Sequence, residues 1–486
     1  MTKFLVSLAF YLAANLVHAN VGVEFTLNKT HALIVFVETL ADNPHRPAYL
    51  KKVFDESRFN SEASRSYIIR FKQMDEALHR GIDFNGFPQS RHMGFNVNQI
   101  ILTQSAYAEN LQDLKRRSLG LLSFNEIVEY FEILKYFEPI YDQLIWQPNL
   151  KAMTEYKTLF EQKARQWKLA DRFKSAHDFY NANWPESLNF RIAFYPIPKG
   201  AKASSAESMG TFESVGIIIG EKDTPGRFGV IFHELCHSLY ESQSEDFQNK
   251  FQSFFYQSNS AYGRIGYNYI NEVLATALGN GWMYEKAAGK LDDTSWYNDQ
   301  IIEEMAKAIF PDVKEYAENN KAIDESLIAK YLAHFEKKFP KSIDETNYLF
   351  SFVHLITDGE VVKNEVARPI IKKIFRTRSM QTSSPLNHEK TIGYLQKPDE
   401  LFYLAVISRK QIGQLEDAAK QLPNLFPGVK TVISSKGSGV YRFDNRTNPV
   451  TVIILDGDSS LEGIFDEIKK LPTIDLGRWY SVGNKR

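Results

Sequence analysis

The chain has 486 residues, of which 43% are hydrophobic and 24% charged; that mix excludes a disordered chain, and the length asks for more than one hydrophobic core. Lys and Arg total 58 against 59 for Asp and Glu, a formal net charge of −1, so no global field draws the protein to nucleic acid or to an anionic membrane. The single cysteine, Cys236, excludes an intrachain disulfide and leaves stability to packing.

At the N-terminus, Lys3 precedes an apolar run from Phe4 to Val17, and Val17 and Ala19 stand at the −3 and −1 positions before Asn20. This predicts a cleavable export signal over residues 1–19. The run is too short to span a bilayer comfortably, and no later stretch is long and apolar enough for a membrane span. Export combined with such low cysteine usage suits a bacterial protein, periplasmic or secreted.

Residues 20–185 read as a helical region. Ser61–Arg80 and Phe124–Glu138 are its clearest segments, the second with Ile127, Tyr130, Phe131, Leu134 and Phe137 at steps of three and four before Pro139 interrupts. Beyond Trp184-Pro185 the texture changes. Phe190–Pro198 and Ser214–Gly220 read as strands around a Gly/Ser/Ala loop, Lys199–Gly210, and Asp223–Gly226 as a turn.

Helices are then expected over Phe228–Tyr240, Tyr267–Ala288, Asp299–Ile309, Glu325–Phe339 and Asp344–Ile356, the last opened by a Ser342-x-x-Glu345 capping box. From Asp399 strands at Phe402–Ile407, Lys430–Ser434, Val440–Phe443 and Val450–Leu455 alternate with helices at Lys410–Leu422 and Leu461–Lys470. The expected class is α+β. A helical region (20–185) leads to a domain of small sheet and helices (186–398), followed by a small α/β module (399–486).

The helix Phe228–Tyr240 carries His233-Glu234-Leu235-Cys236-His237. Histidines four residues apart share one helix face, so both imidazoles can reach one ion. Zinc takes neutral imidazole, and the Glu between the two histidines can accept a proton from a water at the ion's open position. Cys236 reads as a packing residue behind that face.

With its uncharged flanks Val230-Ile231-Phe232 and Ser238-Leu239, this segment resembles the zincin superfamily of metallopeptidases. The metzincin branch would place a third histidine where Gln243 stands, and a glycine where Tyr240 stands. The gluzincin branch uses a downstream Glu. Asn271-Glu272-Val-Leu-Ala275-Thr-Ala277-Leu-Gly279 fits it, with Glu272 35 residues after His237 and small residues suited to close helix packing.

The resemblance covers about Phe190–Tyr284. It implies a zincin-like catalytic fold, one catalytic Zn²⁺ on His233, His237 and Glu272, no organic cofactor, and hydrolysis of a peptide or protein substrate with Glu234 as general base. It also implies that Ser214–Gly220 edges the cleft, where an extended peptide can pair with it. Tyr348 is the first choice for stabilising the oxyanion, His354 the second, and Tyr267 and Tyr284 stay open. The alternative is an exported, non-catalytic zinc-binding or scaffold protein with a zincin-like domain.

Overall fold

The computed structural model describes residues 22–82, 95–185, 188–375, 377–396, 401–443, 450–457 and 460–482. The expected export signal lies outside them. Among the described residues no helix is long and apolar enough to cross a membrane. The chain is mixed α and β, in two compact units. One comprises residues 1–254 and 270–331, the other 255–269 and 332–486, so the division falls at other points than the compositional changes near 185 and 398.

In the first unit, strand β1 (Val23–Leu27) leads into helix α1 (Lys29–Leu40). The α1 helix is apolar nearly all round, and eleven of its twelve residues are buried, as befits a core helix. Asn28 caps it by accepting from the His31 N–H. Helices α2 (Val97–Tyr107) and α3 (Phe124–Tyr141) pack around it.

Helix α3 does not stop at Pro139 as expected but runs to Tyr141, and a π-helical turn, Asp142–Trp146, follows. Phe137, Ile140, Tyr141, Ile145 and Trp146 stay buried along this path. Their burial offsets the one donor that proline removes.

Strands β2 (Phe190–Ile197), β3 (Ala206–Met209) and β4 (Phe212–Ile218) complete a four-stranded sheet of order β1-β2-β4-β3. The pairs β1–β2 and β2–β4 are parallel, and β3 runs antiparallel to β4 with Ser208 opposite Glu213. Because β1 pairs with β2, the N-terminal helices share a sheet with the strands before the motif. The β2 and β4 strands are mostly apolar and are buried along nearly their whole length, with Arg191, Glu213 and Ser214 as their polar exceptions.

Helix α4 (Thr224–Glu241) carries the motif. Asp223 caps it through the Gly226 N–H at 2.9 Å, and Pro225 sits in its first turn, where no donor is needed. Phe228, on its buried face, stacks on Phe160 at 4.8 Å. Helix α5 (Gly263–Thr276) passes directly into a π-helical stretch, Ala277–Met283, and the short helix Tyr284–Ala288. Helix α6 (Gln300–Glu318) packs on that stretch.

The second unit holds a six-stranded mixed sheet. Its strands are β5 (Phe352–Thr357), β6 (Ser379–Ser383), β7 (Phe402–Ser408), β8 (Gly439–Arg442), β9 (Val450–Leu455) and β10 (Trp479–Ser481), in the order β10-β8-β9-β7-β5-β6. The four strands from β9 to β6 run parallel to one another, whereas β8 is antiparallel to β9 and to β10. Helices α7 (Asn364–Ile374), α8 (Ile412–Gln421) and α9 (Leu461–Lys469) follow β5, β7 and β9.

Two expectations fail here. Asp344–Ile356 is not a helix: a four-residue turn of helix, Thr346–Leu349, gives way to β5, which pairs on both sides. Val353-His-Leu-Ile356 is a fully buried strand, and a short apolar run of that kind has no period to distinguish it from a helix. The Ser342 hydroxyl donates to the Phe339 carbonyl, so no capping box forms. Lys430–Ser434, expected as a strand, lies in a short helix, Val429–Ser434, entered through Gly428 at φ +78°.

Candidate metal centre

His233 and His237 lie on α4 with their Nε2 atoms 3.0 Å apart and their rings nearly perpendicular. Helix α5 brings Glu272 to the same point. Its Oε2 stands 3.5 Å from His233 Nε2 and 3.7 Å from His237 Nε2, is buried, and has no hydrogen-bond partner of acceptable geometry. Two ring nitrogens and an unpaired buried carboxylate oxygen thus face one another with no proton that can satisfy all three.

The far side of each ring is held. Asn271 Oδ1 lies 3.1 Å from His237 Nδ1, and Thr276 Oγ1 lies 3.5 Å from His233 Nδ1. An Nδ1–H donated to Asn271 leaves the His237 Nε2 lone pair free to bind a metal. The small residues expected on α5 allow the approach. At Gly279 a Cβ would stand 2.6 Å from the His233 nitrogen and 2.5 Å from the Gly229 carbonyl oxygen, while Gly229 in turn faces the Gly279 carbonyl.

The nearest ligand atoms of His233, Glu234 and His237 all lie within 4.8 Å of one another, a group able to hold a metal ion. Two carboxylates therefore compete for the pair. Glu234 Oε2 already accepts from the Ser208 N–H of β3 at 3.2 Å, whereas Glu272 Oε2 is uncommitted.

Burial, more than the charge of Glu272, pushes the Glu234 carboxyl up to about 7, with His237 working against the rise. Burial raises Glu272 too, but His233, His237 and the Tyr297 hydroxyl bring it down to about 2. Burial also drives the Cys236 thiol above its usual range, and its side chain packs in the core, consistent with a packing role.

Several groups here escape a reading of the sequence. Tyr297 lies in an irregular segment before α6. Its ring stacks on His233 at 5.9 Å, and Glu303 fixes its backbone through the Trp296 and Tyr297 N–H groups. Glu213 of β4 is wholly buried, and neither carboxylate oxygen has a hydrogen-bond partner among the described residues. Burial first and the nearby Glu234 second push its pKa well up. Neither residue belongs to a motif, and only the tertiary fold brings them to the site.

The structure also corrects the cleft edge. Ser214–Gly220 corresponds to β4, which is flanked by β2 and β3 and offers no free edge; β3, expected as part of a loop, is the edge strand beside it, with β1 at the far edge. Tyr348 and His354 belong to the second unit. Tyr348 lies on the four-residue helix, and His354 lies in β5 with its Nε2 3.0 Å from Ser383 Oγ. Tyr267 belongs to that unit as well, while Tyr284 opens the short helix after the π-helical stretch in the first.

No protein-family model, curated protein or solved structure matches the chain.

Proposed function

We propose that the first unit is a zinc-dependent peptidase of the gluzincin type, acting outside the cytoplasm. The observation that carries this reading is the triangle of His233 Nε2, His237 Nε2 and Glu272 Oε2, with sides of 3.0, 3.5 and 3.7 Å. Ligands about 2.0–2.1 Å from a tetrahedral zinc ion stand roughly 3.3 Å apart, so the donor set and its spacing fit that metal, and two imidazoles with one carboxylate are a catalytic set with one position left open.

A zinc ion so held supplies Lewis-acid activation of a water and of the substrate carbonyl. The remaining chemistry falls to the protein. Glu234 takes the proton from the attacking water and returns it to the leaving amine, its carboxylate positioned by the Ser208 N–H. The edge strand β3 receives an extended peptide by added-strand pairing. Tyr297, whose ring stacks on His233, takes the oxyanion role for which the sequence suggested Tyr348.

The test is digestion of a peptide library by the full chain, before and after chelation and after zinc is restored. Cleavage that disappears with chelation and returns with zinc supports the reading. Stoichiometric zinc without cleavage of any peptide replaces it with a zinc-binding scaffold.

A further inference from the structure

The sheet of the second unit has its own candidate site, at the carboxyl ends of its parallel strands. From β5 the chain crosses to β6 on one side, and the next strand, β7, lies on the other side of β5. Open sheets with such a reversal bind ligands in the crevice beyond the strand ends. A cavity of about 460 Å³ lies there, lined by residues that follow β5, end or follow β7, and end or follow β9. That volume suits a small molecule.

The lining is cationic. Lys363, Arg409 and Lys410 contribute three positive charges against the single carboxylate of Asp456. Arg409 is fixed in place: its guanidinium donates to the Val432 and Gly437 carbonyls at 3.3 and 2.8 Å and to Ser435 Oγ at 3.3 Å, while its Nε lies 3.6 Å from Asp456. Ser408 also lines the cavity, and its hydroxyl is buried with no hydrogen-bond partner among the described residues.

No side chain caps the N-terminus of α7, which opens beside Lys363, so its first N–H groups add to the positive field. Asp358, which follows β5, does not oppose this directly. Its carboxylate is already occupied by the N–H groups of Glu360, Val361, Val362 and Ser408 at 2.8–3.0 Å. The opposite character comes from Val362, Val366, Leu455 and Leu461, which give the cavity an apolar wall.

We propose that this crevice binds a small phosphate-bearing molecule, its phosphate against Lys363, Arg409, Lys410 and the Ser408 hydroxyl and its organic body against the valines and leucines. Three cations, one held rigidly, with a hydroxyl and a free helix start suit a tetrahedral oxyanion of charge near −2. This proposal is independent of the metal centre.

Calorimetric titration of the full chain with phenyl phosphate and with inorganic phosphate tests it, alongside the double variant Lys363→Gln/Lys410→Gln. Both lysines are exposed, and a matching far-UV spectrum confirms that the variant folds. The expected result is one phenyl phosphate per chain, displaced by inorganic phosphate, weakened by added salt, and bound about tenfold or more weakly by the double variant. Absence of binding by the unaltered chain at millimolar probe, equal affinity in the double variant, or benzoate binding as tightly as phenyl phosphate would each overturn it.

Discussion

Gly279 lies so close to His233 that a Cβ added to it would stand 2.7 Å from the His233 Cβ. No side chain fits there without parting the two helical segments. Gly279→Ala is therefore expected to destabilise the fold by about 1–3 kcal/mol and to shift His233 away from Glu272. Denaturant unfolding and zinc titration measure the two effects. Unchanged zinc affinity in a destabilised variant would separate packing from metal binding.

Asn271 is the partner of His237 Nδ1 at 3.1 Å. Replacing it with Ala removes the acceptor that fixes the ring's tautomer and orientation while leaving all three proposed ligands intact. Zinc affinity should fall about 10–100-fold, read by competition with a fluorescent chelator. An unchanged affinity would mean that the ring is oriented by packing alone.

Tyr297 and Tyr348 make opposing predictions. With the Tyr297 ring stacked on His233, Tyr297→Phe should lower kcat by about 10²–10³ while KM moves little. Tyr348→Phe should leave kcat near its original value. The reverse pattern would return the oxyanion role to Tyr348.

His31 links pH to stability in the first unit. It is fully buried, with Nδ1 3.0 Å from Ser105 Oγ and Nε2 2.9 Å from Ser214 Oγ. Burial, aided by the charge of Arg46, pushes its imidazole down from 6.5 to about 3. The unfolded chain takes up a proton near pH 6.5, while the folded chain does not until about pH 3. The stability this residue confers is therefore complete above about pH 6.5 and is lost as pH falls toward 3, by on the order of 4 kcal/mol. Urea unfolding of the unaltered chain and of His31→Gln between pH 4 and 7.5 checks this. The pH-dependent difference between them should grow across that range, and a constant difference would refute it.

The local spacing of His233 and His237 made the histidine-bearing helix readable, and the small residues after Glu272 signalled a second helix packed closely on the first. Other features depend on partners distant in the chain. The edge position of β3 follows from the order of the sheet, and the β5 strand looked like a helix because a short apolar run buried on both faces carries no period. Tyr297 and Glu213 reach the centre only through the tertiary fold. A proline that usually ends a helix was overridden at Pro139 by the burial of the residues around it.

In the proposed reaction Glu234 acts on a water beside an ion held by His233, His237 and Glu272. The most direct measurement pairs zinc content with peptide cleavage in Glu234→Gln, which keeps the side chain's size and can still hydrogen-bond near Ser208. Zinc peptidase chemistry requires one zinc per chain in the variant and cleavage reduced by about 10²–10⁴-fold. Cleavage at the original rate with zinc bound would contradict the assigned role, and full activity in a zinc-free protein would contradict the metal centre itself.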